Sequence, residues 1–73
     1  MRNKVTPVDG FGRRLRAARL ATGRTQQWVA DRVHIHRTTY NKYEAGTAEP
    51  TLKIAYDLAV LLNTSLDELL KQD

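Results

Sequence analysis

Arg37, Thr38, Asn41 and Lys42 are the side chains of this chain whose types and spacing suit a specific chemistry. On a helix turning about 100° per residue, with Arg37 at zero, Asn41 falls near about 40°, Thr38 near about 100° and Lys42 near about 140°. Tyr40, Tyr43 and Thr39 then fall on the opposite arc. The outer arc carries what the edges of base pairs in the major groove of duplex DNA call for. A guanidinium pairs bidentately with guanine and an amide pairs with adenine. A threonine adds a methyl and a hydroxyl, and a lysine adds a cation. Any amphipathic helix has a solvated polar face, so this arc acquires meaning only from the elements around it.

Other chemistries lack their parts. His34 and His36 flank Ile35, but with no cysteine in the chain and no acidic cluster nearby they make an incomplete metal set. Ser65 is the only serine and stands where a helix cap is needed, so a serine nucleophile has no base and no place. The residues therefore imply no enzyme, no metal, no cofactor and no small-molecule ligand. Trp28 has two readings: a partly exposed ring that merely covers surface, or one whose indole N–H approaches a phosphate or the N-terminal arm.

The elements that must position the polar arc are legible from caps and periodicity. Residues 1–8 are polar and basic and read as a flexible arm, leaving 9–73 as the single domain. Asp9 is placed to cap a first helix carrying Phe11, Leu15 and Ala18, which Gly23 stops. Thr25 caps a second helix whose stripe is Val29, Ala30 and Val33. His36 stands at the cap of a third, between Ile35 and Tyr40 at the spacing of a hydrophobic staple, and Gly46 closes it. Pro50-Thr51 opens a fourth helix expected to run to Asn63. Ser65-Leu66-Asp67-Glu68 is a capping box for a short fifth. The second and third helices are joined by about three residues, the tight connection of a helix-turn-helix, here spanning 26–45.

Charge supports the same reading. The 73 residues carry a net charge of +4, unevenly placed. Up to Lys42 ten Lys and Arg face two acidic residues, whereas from Tyr43 onward two face six. The first part suits phosphate and the second does not. No segment has the roughly 20 apolar residues of a membrane span, and the N-terminal residues do not read as a signal peptide, so a cytoplasmic location is expected.

At this point the chain resembles a known family, the Cro/phage-repressor-like (XRE) helix-turn-helix regulators. The resemblance runs from Phe11 to Leu70. It rests on Phe11-Gly12-Arg13-Arg14-Leu15-Arg16-Ala17-Ala18-Arg19, Thr25-Gln26-Gln27-Trp28-Val29-Ala30, Tyr43-Glu44-Ala45-Gly46, Pro50-Thr51-Leu52 and Ser65-Leu66-Asp67-Glu68-Leu69. It implies an all-α, five-helix, lambda-repressor-like domain in which Arg37, Thr38, Asn41 and Lys42 read bases. It also implies that Gln26, with Thr25 beside it, binds a backbone phosphate, and that Arg19 pairs with Glu44 to lock the first helix on the third. Phosphate contact is a secondary expectation for Arg19, and Thr47 completes the expected phosphate set. Two positions depart from the pattern: His34 stands where the turn usually has glycine, and Tyr40 replaces an aliphatic core residue.

The fourth helix is apolar almost all round, more than one small core accepts. The expectation is a homodimer through Ile54, Leu61, Leu66 and Leu70 on a near-palindromic operator. With no sensor segment in sight, control by protein concentration is expected, as in small phage repressors or restriction-modification controller proteins. The alternative is an antitoxin-like or adaptor protein that uses the same fold to hold a protein partner.

Overall fold

The computed structural model describes residues 10–71, and its helices begin where side chains or backbone can satisfy the first N–H groups. They are α1 (Phe11–Thr22), α2 (Gln26–Arg32), α3 (Arg37–Ala45), α4 (Leu52–Leu61) and α5 (Leu66–Leu69), with no strand among the described residues. The Thr25 hydroxyl accepts the Trp28 N–H at 3.0 Å, Thr51 that of Ile54 at 3.2 Å and Ser65 that of Glu68 at 3.0 Å. Each of these caps satisfies a donor that the helix itself cannot. His36 differs from the expectation: it occupies the cap of α3 with extended backbone but makes no side-chain capping bond. The Asp9 cap and the 1–8 arm lie outside the described residues, and α1 starts from a left-handed Gly10.

Three helices end by one device. After α2, Ile35 N–H reaches the Ala30 carbonyl at 3.0 Å and His34 N–H that of Asp31 at 3.3 Å. After α3 the pairs are Thr47 to Lys42 and Gly46 to Tyr43; after α4 they are Thr64 to Ala59 and Asn63 to Val60. This six-to-one and five-to-two pattern needs a left-handed residue in the middle. His34 (φ 62°), Gly46 (φ 81°) and Asn63 (φ 60°) supply it. The tight turn between α2 and α3 is thus a helix C-cap in which histidine bears a strain that glycine would avoid. At α4 the helix stops at Leu61, and Asn63 lies in the turn beyond rather than within the helix.

The core gathers Leu15 of α1, Val29 and Ala30 of α2, Tyr40 of α3, Leu58 of α4 and Leu69 of α5, all fully buried. α1 packs on α3 and α5, α2 on α3 and α4, and α4 on α5. Gly12 sets the closest approach. A Cβ there would stand 2.6 Å from the Tyr43 carbonyl oxygen and nearer still to that of Glu44, so α1 crosses the end of α3 with no room for a methyl. No helix among the described residues is long and apolar enough to cross a membrane.

Two substitutions should move stability in opposite directions. Gly12→Ala is expected to cost about 1–3 kcal/mol, because rigid backbone rather than a side chain must give way. His34→Gly is expected to gain about 0.5–1 kcal/mol by relieving the left-handed turn, less the entropy glycine adds to the unfolded chain. Urea denaturation of the two variants beside the parent checks both signs.

Candidate nucleic-acid interface

α3 divides as its periodicity requires. Tyr40 and Tyr43 are buried on the inner side, their ring centroids 6.5 Å apart and their planes at 77°. That edge-to-face contact suits two quadrupoles. Arg37, Thr38, Asn41 and Lys42 are all exposed on the outer side.

What holds this face in place is a single carboxylate. Glu44 leaves only 3% of its side chain exposed, and four hydrogen bonds converge on its two oxygens. Arg19 of α1 donates from Nε to Oε2 at 2.7 Å and from Nη2 to Oε1 at 3.1 Å, a bidentate pair. The Tyr40 hydroxyl donates to Oε2 at 2.6 Å, and Gln26 Nε2 of α2 donates to Oε1 at 2.9 Å. Burial, the largest single influence on Glu44, works to raise its pKa. The bonds from Arg19, Tyr40 and Gln26 and the charge of Arg19 together outweigh it and hold the carboxyl below its ordinary value. Burial, then the bond to Glu44, pushes the Tyr40 hydroxyl up, and the bond to Glu44 raises Arg19, so the tyrosine stays a neutral donor and the arginine a cation.

The carboxylate also orients an outer residue. An ionised carboxylate only accepts, so the Gln26 amide must turn its NH2 inward. The same Nε2 donates to Asn41 Oδ1 at 3.1 Å. With Oδ1 facing Gln26, the Asn41 NH2 is left to face outward. A buried charge thereby fixes which end of an exposed amide is offered to a ligand.

Comparison with known proteins identifies the arrangement. A family model described as Helix-turn-helix matches residues 15–69. The SPbeta prophage-derived uncharacterized HTH-type transcriptional regulator YonR of Bacillus subtilis (strain 168) is 48% identical over 61 residues, 84% of this chain and 56% of that protein. The cryptic phage CTXphi transcriptional repressor RstR of Vibrio cholerae is 41% identical over 56 residues, 77% of this chain and 50% of that protein. The uncharacterized HTH-type transcriptional regulator YazB of Bacillus subtilis (strain 168) is 39% identical over 59 residues, 81% of this chain and 86% of that protein. The chain belongs to the Cro/C1-type helix-turn-helix family. This is a family of DNA-binding regulators, not of enzymes. The chain spans about half the length of the first relatives it matches, at 56%, 53% and 50% of them. No solved structure matches it significantly.

In this helix-turn-helix domain the residues expected to contact phosphate or a second copy occupy distinct settings. Arg19 is buried, and besides its two bonds to Glu44 it donates from Nη1 to the Arg24 carbonyl at 3.0 Å. Three of its five N–H groups are thus engaged inside the protein, where Arg19 serves the pairing with Glu44. Thr47 lies just beyond the C-terminal end of α3, where its hydroxyl reaches the Lys42 carbonyl at 3.5 Å, and Gln26 meets α3 at Asn41 and Glu44, toward that same end. The apolar surface also differs. Ile54 and Leu61 pack against the core and Leu66 is half-buried, whereas Leu52, Tyr56 and Val60 are 72%, 57% and 61% exposed at successive turns of α4, with Leu70 nearby in the groove shared with Leu52.

Sequence reasoning missed the hydroxyl of Tyr40 as a Glu44 donor, although their four-residue spacing puts them on one helix face. It also left Trp28 open. Arg24 and Arg32, four residues before and after it, both lie over its ring.

The Glu44 network predicts a pH signature. A carboxyl whose folded pKa lies below its ordinary 4.5 contributes stability that is fully present above that value and is lost as pH falls through the folded pKa. Glu44→Gln should destabilise the domain near pH 7, and its stability should fall less than the parent's between pH about 5 and the acid limit. Tyr40→Phe should cost about 1.5–3 kcal/mol near neutrality, since it takes one donor from a buried charge. Denaturation curves collected across pH 3–7 read both effects.

Proposed function

We propose that this chain is a sequence-specific duplex-DNA-binding transcriptional regulator that lays α3 in the major groove. The observation that carries the reading is the exposed arc of Arg37, Thr38, Asn41 and Lys42, held at a fixed angle by the Glu44 network. Arg37 and Thr38 open the helix, the end that enters the groove in this motif. Thr25 and the backbone of Gln26 approach a backbone phosphate beside it, the Gln26 amide itself being occupied by Glu44 and Asn41. Occupation of a promoter then alters transcription, in keeping with a relative named as a phage transcriptional repressor.

The domain acts as a homodimer that joins through the α4 face of Leu52, Tyr56 and Val60, with Leu70 at its edge. Large side chains exposed at successive turns are costly to leave in water, and a second copy covers them while setting two recognition helices about one DNA turn apart. The operator is then near-palindromic, because a two-fold protein reads the same half-site twice.

Selection of bound sequences from random duplex DNA tests the reading directly. Arg37→Ala and Asn41→Ala should each cost about 1–3 kcal/mol at particular base pairs. Gln26→Ala should weaken every sequence and also relax the preference at the base Asn41 faces, since it frees that amide to turn. A uniform loss from Arg37→Ala contradicts its role. For the dimer, sedimentation at micromolar concentration should show association that Val60→Glu abolishes. A parent that is monomeric with and without DNA rules the dimer out.

A further inference from the structure

Trp28 is the only tryptophan of the chain, and two arginines are stacked on it. The Arg24 guanidinium carbon lies 4.3 Å from the ring centroid and that of Arg32 lies 4.5 Å away. Their spacing brings one from the N-terminal and the other from the C-terminal side of the ring. Each contact is a favourable cation–π interaction, but together they concentrate two like charges around one side chain. Among the described residues neither arginine has a carboxylate partner. Asp31, beside them in sequence, accepts from Gln27 at 2.8 Å. Asp57 shares a shallow groove with Arg32, yet it pairs with Lys53 at 2.9 Å. Such an arrangement favours an anion.

The two arginines differ in surroundings. Arg32 leans toward α4, in the groove with Tyr56 and Val60. Arg24 immediately precedes Thr25 and Gln26, and Gln26 is bonded to Asn41 of the reading face. Its backbone is pinned as well, because its carbonyl accepts from Arg19, the residue anchored on Glu44. Arg24 is therefore an exposed cation held at both ends, by its carbonyl and by its guanidinium plane. An arginine normally surrenders much rotamer freedom on binding, and one already stacked surrenders less.

We propose that Arg24, clamped on Trp28, binds a backbone phosphate beside the major groove, with Trp28 as its positioning residue and Arg32 bracing the ring from the α4 side. The inference rests on the reading of the chain as a duplex-DNA binder and adds to it a phosphate contact. The stack also makes the ring itself unavailable for base stacking, since both guanidiniums lie over it.

The test uses the full chain and a duplex obtained by selection, with fluorescence anisotropy from about 50 to 300 mM KCl. Arg24→Ala should weaken selected and scrambled duplexes alike, roughly tenfold near 0.1 M salt, and reduce the slope of log K against log salt by about 1. Trp28→Leu should lose part of that affinity while Trp28→Phe keeps it. The double variant Arg24→Ala/Trp28→Leu should bind no more weakly than Arg24→Ala alone, which a merely structural role for Trp28 would not produce. An unchanged salt slope for Arg24→Ala, or additive losses in the double variant, overturns the proposal. Arg24 is exposed, so its variant carries the test even if Trp28→Leu loses stability. If the parent binds no duplex at all, the broader reading fails; if the parent depends on Arg37 but not on Arg24, only this inference fails.

Discussion

A buried carboxylate is expensive, and the fold of this domain is organised around meeting that cost at Glu44. Stripped of water, an isolated carboxylate would protonate or force the structure open. Here Arg19, Tyr40 and Gln26 bring their donors to its two oxygens, and those donors come from α1, α3 and α2 respectively. Replacing such a network with apolar side chains can leave stability unchanged or raise it, so its value is not chiefly stability. Its value is geometric. Apolar contacts tolerate small rotations of one helix on another, whereas four directed bonds to one carboxylate do not. A helix that presents an arc of side chains to base edges, as proposed for α3, would need that kind of constraint.

The same residue sets the position of α1 lengthwise. Gly12 and Arg19 lie about two helical turns apart on α1. The first abuts the backbone carbonyl of Glu44 and the second grips its side chain. Sliding α1 along α3 would break the ion pair or drive a helix backbone into the Glu44 carbonyl. Because Arg19 also holds the Arg24 carbonyl, the loop into α2 is fixed from the same point. α3, the helix before it and the loop between α1 and α2 thus share one origin, and disturbing Glu44 should be felt at all three.

Much of this was legible in the residues alone, for a physical reason in each case. Thr25, Thr51 and Ser65 announce helix starts because their hydroxyls suit an orphan N–H, and Gly23 and Gly46 announce ends because only a left-handed residue closes them cheaply. The split of α3 into a polar and an aromatic arc follows from its period. What was not legible depended on packing between elements. α4 is apolar on nearly every side, so its angular pattern could not say which flank α2 and α5 would cover. In the structure Ile54 and Leu61 pack against the core, and Leu52, Tyr56 and Val60 lie outside. Arg19 illustrates the same limit in a polar residue. Its type suits a phosphate as well as a carboxylate, and only the packed structure shows it buried against Glu44.

The exposed α4 face also bears on the motif itself. Tyr56 and Val60 line one groove together with Arg32, Val33 and His34, the last of these being the strained left-handed residue of the turn. A second copy seated on α4, as in the proposed dimer, would therefore meet the turn that sets the angle between α2 and α3. Because His34 holds a conformation that costs more than glycine would, a contact there can favour or oppose the observed turn at little expense. In the proposed dimer, association and the angle of α3 would then be coupled through one residue rather than through the core. A turn carrying glycine would be unstrained and would lack a side chain in that groove for a partner to press on. If the proposed dimer forms on this face, the histidine, a departure from the family pattern and a small cost to the isolated domain, is the residue through which a second copy would reach the turn before α3.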